Sequence, residues 1–226
     1  MELILDASSP ASRVALATRG TLQWESSALA PQEHTRELLP AVLQGMQLTA
    51  VSFTDLEAIV VALGPGPFNG LRVAVSTAKG IAQGTGAAIV GIPTLEAEVA
   101  RCKPDAMRIR PVVRAGRANF TTALFEWSGR HWRCVEAARH MNVPELAQLA
   151  TGNVLLCGEV NEFRTALAAL EPAAVVSAAA QLSTRTEALA RLGWERLQSG
   201  DTVAVAALQP LYVNPPHITI PRDRRP

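Results

Sequence analysis

The most constraining stretch of the chain runs from Glu57 to Gly84, EAIVVALGPGPFNGLRVAVSTAKGIAQG. Ala58-Ile59-Val60-Val61-Ala62-Leu63 is too short for a globular helix and rich in β-branched residues, so it reads as a strand buried on both faces. Gly64-Pro65-Gly66-Pro67-Phe68-Asn69-Gly70 then turns the chain, because glycine tolerates positive φ and proline fixes φ. From Leu71 the spacing becomes helical, with Leu71, Val75, Ala78 and Ala82 on one face, and Gly84 and Gly86 end it. Ala87-Ala88-Ile89-Val90-Gly91 is a second short apolar run. Strand, glycine turn, helix and strand make a right-handed βαβ unit.

A glycine turn between strand and helix often receives a phosphate, because free N–H groups and the helix dipole favour an anion. The spacing here, Gly64-x-Gly66-x-x-x-Gly70, is neither the dinucleotide fingerprint nor a Walker loop, and no Gly-Lys-Ser/Thr follows. Pro65 and Pro67 lack N–H groups and deplete any such cradle of donors. Gly64, Gly66 and Gly70 stand as weak nucleotide-binding candidates beside a structural reading. Asp6, at the end of the apolar strand Leu3-Ile4-Leu5-Asp6, divides the same way. Kinases and ATPases with such an opening aim this carboxylate at a metal-bound phosphate; the plainer reading is a strand-end acid that caps the next turn.

The rest of the chain falls into place around this unit. Val14–Ala17 and Leu22–Glu25 flank Arg19-Gly20 as a hairpin, which makes the opening a three-stranded meander. Glu33 to Met46 spaces Leu38, Leu39, Val42, Leu43 and Met46 as an amphipathic helix. Thr94 opens a helix of Leu95, Val99 and Cys102 that ends before Pro104. Residues 107–125 alternate as strand with a turn at Gly116, and Trp132–Val135 extends that sheet. Pro144 starts a short helix, Asn153–Cys157 is a buried strand, and residues 162–170 and 178–198 are helical. The prolines after Leu211 keep the end extended. The order predicts an α/β chain of two related halves, residues 1–105 and 106–210, with an extended basic tail over 211–226.

Composition narrows the class. With 48% hydrophobic and 18% charged residues among 226, the chain has ample core for a folded protein. A net charge of +1 makes no global case for nucleic acid, but the charge is uneven. Residues 1–60 hold seven acids against three bases, whereas Arg101, Lys103, Arg108, Arg110, Arg114 and Arg117 face only Asp105 over 101–117. Such a run reads as a solvated face or as a polyanion contact. The opening residues lack a secretory pattern, no apolar run approaches the ~18 residues of a membrane span, and Cys102, Cys134 and Cys157 suit buried thiols. The expected compartment is the cytoplasm.

Chemistry-bearing motifs are scarce. His34 sits in the first turn of its helix, but Leu38 stands where a metal site wants a second histidine, and His131, His140 and His217 form no ligand spacing. The chain has no Gly-x-Ser-x-Gly elbow, no Cys-x-x-Cys and few aromatic residues. This shortage favours a protein that works by binding.

Three motifs together resemble one family: Asp6-Ala7-Ser8, then His34-Thr35-Arg36-Glu37-Leu38-Leu39-Pro40, then Gly64-Pro65-Gly66-Pro67-Phe68-Asn69-Gly70-Leu71-Arg72 running into Ser76-Thr77-Ala78-Lys79-Gly80. The chain is similar to the bacterial TsaB (YeaZ) family, which serves in making threonylcarbamoyladenosine at position 37 of tRNAs reading ANN codons. The match covers residues 1–100 well, 106–200 loosely, and returns at Pro210-Leu211-Tyr212-Val213. The resemblance implies an actin/Hsp70/sugar-kinase-like fold of two mixed-sheet subdomains and a non-catalytic role beside the paralogous subunit TsaD, with the ATPase TsaE joining. It implies contact with tRNA through that complex, no required cofactor, at most weak ATP or ADP binding, no membrane, and a homodimer as one state of the isolated protein. The partner face then falls on the helices over 33–46 and 70–84, through His34, Leu38, Leu39, Val42, Leu71, Val75, Ala78 and Lys79; Val75→Arg is expected to abolish partner binding with the fold intact. The competing reading is an ATP-dependent enzyme of the same fold acting by itself.

The chain departs from the family pattern in three places. Pro67 and Asn69 replace the hydroxyl residues of Gly-Pro-Gly-Ser-Phe-Thr-Gly, Ala7 stands within the usual Asp-Thr-Ser, and Arg114-Ala115-Gly116-Arg117 replaces an acidic stretch. The first change lowers the expectation of nucleotide contact. The last turns the hairpin of the second half basic.

Overall fold

The computed structural model describes residues 1–29, 34–102, 108–115, 119–150, 154–160, 164–170, 175–176 and 183–213. Two five-stranded mixed sheets share one plan. In the first, β1 (Glu2–Asp6), β2 (Ala11–Thr18) and β3 (Thr21–Leu29) form the meander, and β4 (Ala58–Gly64) and β5 (Ala88–Pro93) add in parallel, giving the order β3-β2-β1-β4-β5. In the second, β6 (Arg108–Arg114), β7 (Phe120–Trp127) and β8 (Trp132–Met141) repeat the meander, and β9 (Val154–Gly158) and β10 (Val175–Val176) repeat the parallel pair, giving β10-β9-β6-β7-β8. The helices are α1 (His34–Thr49), α2 (Phe68–Thr85), α3 (Thr94–Ala100), α4 (Val143–Leu149), α5 (Arg164–Leu170) and α6 (Arg185–Ser199). The two-residue β10 has no counterpart in the sequence reading. Among the described residues, no helix is long and apolar enough to cross a membrane.

Strand alternation sends successive residues to opposite faces, and both faces of the first sheet are covered. Leu3, Leu5, Ile59 and Val61 meet Leu38, Val42 and Met46 of α1 and Val75, Ala78 and Ala82 of α2. Ile4, Val60, Val90 and Ile92 meet Ala97 of α3 and Leu189 and Ala190 of α6. In the second sheet, Ile109, Val113 and Phe125 pack on Leu95, Val99 and Cys102 around α3, while Val112 and Leu156 pack on Leu146 of α4 and Leu167 of α5. Helix α3 is thus shared between the sheets.

The chain does not divide into the consecutive halves 1–105 and 106–210 that the order of elements predicts. Helix α6, placed by sequence in the second half, packs on the first sheet, and residues 201–213 follow it there. Val203 N–H donates to the Ile89 carbonyl, Leu211 N–H donates to the Leu63 carbonyl, and Leu208 is buried in the first core. The cause is simple: the meander and βαβ unit leave a second apolar face that residues 1–102 cover only with α3. Helix α6 also starts later than the 178 expected, because Thr184 caps it, accepting from Glu187 N–H while the Glu187 carboxylate accepts from Thr184 N–H. Residues 177–182, like the Gly116 turn and the tail beyond Val213, lie outside the described residues.

Candidate functional site

The glycine loop comes first, since the rest is arranged around it. Helix α2 begins at Phe68, directly after Pro67, three residues before the Leu71 predicted, so Gly70 is helical rather than part of a turn. Only Gly64 in this loop has positive φ, at 113°. Gly66 and Gly70 are glycines for another reason. A Cβ on Gly66 would lie 2.5 Å from the Ser8 carbonyl oxygen, and one on Gly70 would strike the Ala7 carbonyl. The loop therefore packs directly on the backbone between β1 and β2, and its outer side, through Pro65, Gly66, Pro67 and Phe68, lines a cleft.

Asp6 is closed off from solvent. It is fully buried, and both carboxylate oxygens have partners. Ser8 donates its N–H at 2.9 Å and its hydroxyl at 2.5 Å to Oδ1, and Arg185 Nε donates to Oδ2 at 2.9 Å, with Arg13 at 3.6 Å. Burial alone would raise the Asp6 pKa, but Arg185, Ser8 and Arg13 outweigh it and hold the carboxyl below the ordinary carboxylate range. The opening-strand acid thus carries more than the turn cap expected, and its partner is a cation built into α6.

Arg185 sits among three carboxylates. Its Nη1 donates to Glu98 of α3 at 2.9 Å and lies 3.6 Å from Glu159 at the end of β9, while Arg101 pairs with the other oxygen of Glu98. Burial opposes the Arg185 charge, but Asp6, Glu98 and Glu159 hold its pKa above the ordinary arginine value. Burial raises the Glu159 carboxyl against the pull of Arg185 and of the Arg114 N–H. Sequence reasoning missed Arg185, Glu98, Glu159 and Arg13. Glu98 was legible, a carboxylate on the apolar stripe of Leu95 and Val99; nothing local marks the others.

Beside this network a cleft of about 890 Å³ opens between the subdomains, walled by Ser8, Pro67, Arg114, His140, Glu159 and Tyr212. Thr121 Oγ1 and His140 Nδ1 lie 2.9 Å apart. Phe68 and Tyr212 stack at 5.2 Å, with Arg72 over Phe68. Among the described residues no three histidine, cysteine, aspartate or glutamate side chains are placed to hold a metal ion. Cys102 and Cys157 are buried near the Glu98 carbonyl, but Cys134, expected buried, is exposed because it lies on the edge strand β8.

The residues expected at a partner face separate into two groups. Leu38, Val42, Leu71, Val75 and Ala78 are buried in the chain's own core, with Val75 only 4% exposed. Val75→Arg therefore places a charge inside the fold and is expected to unfold it, contrary to the sequence expectation. Leu39 is exposed, and Lys79 is half-buried with its ammonium reaching the Ala206 carbonyl. His34 opens α1, and its side chain lies outside the described residues. The outward surface of the helix pair includes Leu39 and Leu43, one turn apart on α1, and Arg72, Ser76, Gly80 and Gly84 along α2, while the exposed Leu48 lies on the other side of α1. The apolar helical spacing showed which residues turn inward; it did not show that the inner stripe was already spent on the sheet.

Comparison with known proteins supplies the relationship. The family model described as TsaD: tRNA N6-adenosine threonylcarbamoyltransferase matches residues 28–212. The chain is 27% identical over 219 residues to the tRNA threonylcarbamoyladenosine biosynthesis protein TsaB of Escherichia coli K12, covering 93% of each. It is 29% identical over 125 residues to the TsaB of Bacillus subtilis 168, covering 55% of each. YeaZ from Pseudomonas aeruginosa superposes with a TM-score of 0.74 at 20% identity, covering 93% of this chain and 98% of that one. The paired mixed sheets and this likeness make the fold actin/Hsp70/sugar-kinase-like. The chain belongs to the family of the TsaD model and, within it, to the TsaB/YeaZ branch.

Proposed function

We propose that this chain is a scaffold and activating subunit for threonylcarbamoylation of adenosine 37 in tRNAs reading ANN codons. It binds a TsaD-type catalytic subunit, assembles with TsaE, and needs no cofactor of its own. The names of its relatives support the pathway. The observation that supports the non-catalytic role is the Asp6–Arg185 pair: the opening-strand acid, the sequence's candidate for phosphate chemistry, is paired inside the fold. The partner face is the outer surface of α1 and α2. Leu39 is 45% exposed and Leu43 50%, one turn apart on α1, an apolar pair that a monomer gains nothing by showing to water. Gly80 and Gly84 leave open space beside α2, where another helix can approach closely.

The test is size-exclusion co-elution with TsaD from the same organism, followed by an assay of tRNA modification with and without this chain. A stable complex and modification that depends on the chain are expected. Leu39→Arg with Leu43→Arg, both on the exposed face, should abolish co-elution and leave the melting temperature of the isolated chain within a few degrees of wild type. Modification that proceeds equally well without the chain refutes the proposal.

A further inference from the structure

Strand β8 is the edge of the second sheet, and its residues are exposed or half-buried from Trp132 to His140. The turn before it and the strand itself carry Arg130, His131, Arg133 and Arg139, all exposed. The carboxylates near this edge are engaged: Glu136 accepts from the buried Arg110 at 2.6 Å, Glu126 takes Arg108 at 2.7 Å, and Glu96, beside Cys134, takes Arg196 at 2.7 Å. Arg130, Arg133 and Arg139 make no ion pair among the described residues. Arg133 and Arg139 lie opposite Glu126 and Thr122 of β7 across two bulges, so they stand roughly 13 Å apart along the edge at the usual strand rise. The row starts beside Trp127 and Trp132, stacked edge-to-face at 5.3 Å and half-buried, and ends next to His140 on the wall of the cleft.

We infer that this edge is an RNA-binding surface, on which Arg130, Arg133 and Arg139 contact successive phosphates of a tRNA. The inference rests on the proposed role in tRNA modification and names the face that meets the substrate. A line of guanidiniums without counter-charge suits a phosphate backbone, whose charges repeat along a line and match the planar fork of arginine. An acidic protein segment is the weaker fit, because the indole pair at the head of the row offers stacking surface that carboxylates do not use. The contact is backbone-positioning and carries no base specificity of its own.

The experiment measures fluorescence anisotropy of a labelled, unmodified tRNA transcript titrated with the full chain. Three phosphate contacts imply that affinity falls about 20- to 40-fold between about 50 and about 200 mM salt. Arg130→Glu/Arg133→Glu/Arg139→Glu should weaken binding at least about tenfold and flatten the salt dependence, whereas the triple lysine variant keeps most of both. Single Arg130→Glu and Arg139→Glu variants, read separately, give smaller losses of the same sign and serve if the triple variant unfolds. Unchanged affinity and salt slope in folded variants overturn the inference. So does displacement of the transcript by poly-glutamate as effective as that by unlabelled tRNA at equal charge, which reassigns the edge to an acidic protein partner. Modification that depends on the chain but ignores these arginines refutes the surface alone. Binding through the row without any effect of the chain on modification refutes the proposed function instead.

Discussion

Arg185 holds together groups from β1, α3 and the end of β9, so its loss takes a cation from three carboxylates and leaves Asp6 and Glu98 with only Arg13 and Arg101 against their charge in the core. Removing one partner of a buried charge network typically costs about 3–5 kcal/mol, because the remaining charges are left without compensation. Arg185→Ala should lower stability by that order, read as a drop in the urea midpoint with little change in slope. Acid tests the same network with a defined sign. Asp6 is held below its ordinary pKa in the folded chain, so the unfolded chain takes up that proton first as pH falls. Its stabilisation is complete above about pH 4 and is lost as pH drops through the depressed value. Glu159 runs the other way: burial raises it, and lowering the pH towards its raised value relieves an unfavourable charge. Asp6→Asn should thus be much less stable than wild type at neutral pH, with the difference closing below about pH 4 in urea melts.

At the scale of elements, α2 shows how one helix serves two surfaces. Its inner stripe of Leu71, Ala74, Val75, Ala78 and Ala82 is committed to the first sheet, and its outer stripe carries two glycines at which a Cβ meets nothing. Glycine in a helix interior costs up to about 1 kcal/mol relative to alanine. Gly80→Ala with Gly84→Ala should therefore raise the melting temperature of the isolated chain. The same variant adds two methyl groups where the partner's backbone is proposed to approach, so co-elution with TsaD should weaken. Opposite signs in these two measurements support a partner face; a more stable variant with unchanged co-elution excludes close approach at these glycines.

For the whole molecule, the return of α6 and residues 201–213 to the first sheet decides the folding unit. Ile4, Val60 and Val90 need Leu189 and Ala190, and Leu208 completes the opposite face. A fragment of residues 1–105 should show no cooperative thermal transition and should bind a hydrophobic dye, because an apolar sheet face is left open. A sharp transition in that fragment argues against this dependence. The shared plan of the two sheets gives each subdomain the same architecture without giving the first a complete core from its own segment of chain.

Local chemistry wrote much of this into the sequence. The apolar run Ala58–Leu63, the proline-flanked glycine turn and the helical spacing after it define the central βαβ unit, and Arg19-Gly20 defines the hairpin, because strand period, turn φ and helix period depend on neighbouring residues alone. Those same rules marked Leu38, Val42 and Val75 as an apolar stripe. They could not tell whether the stripe faces a partner or the chain's own sheet, since both bury it equally. Only tertiary structure decided that, and it decided Asp6 as well: Arg185 lies 179 residues away and is brought to 2.9 Å by a helix that must cover the second face of the first sheet.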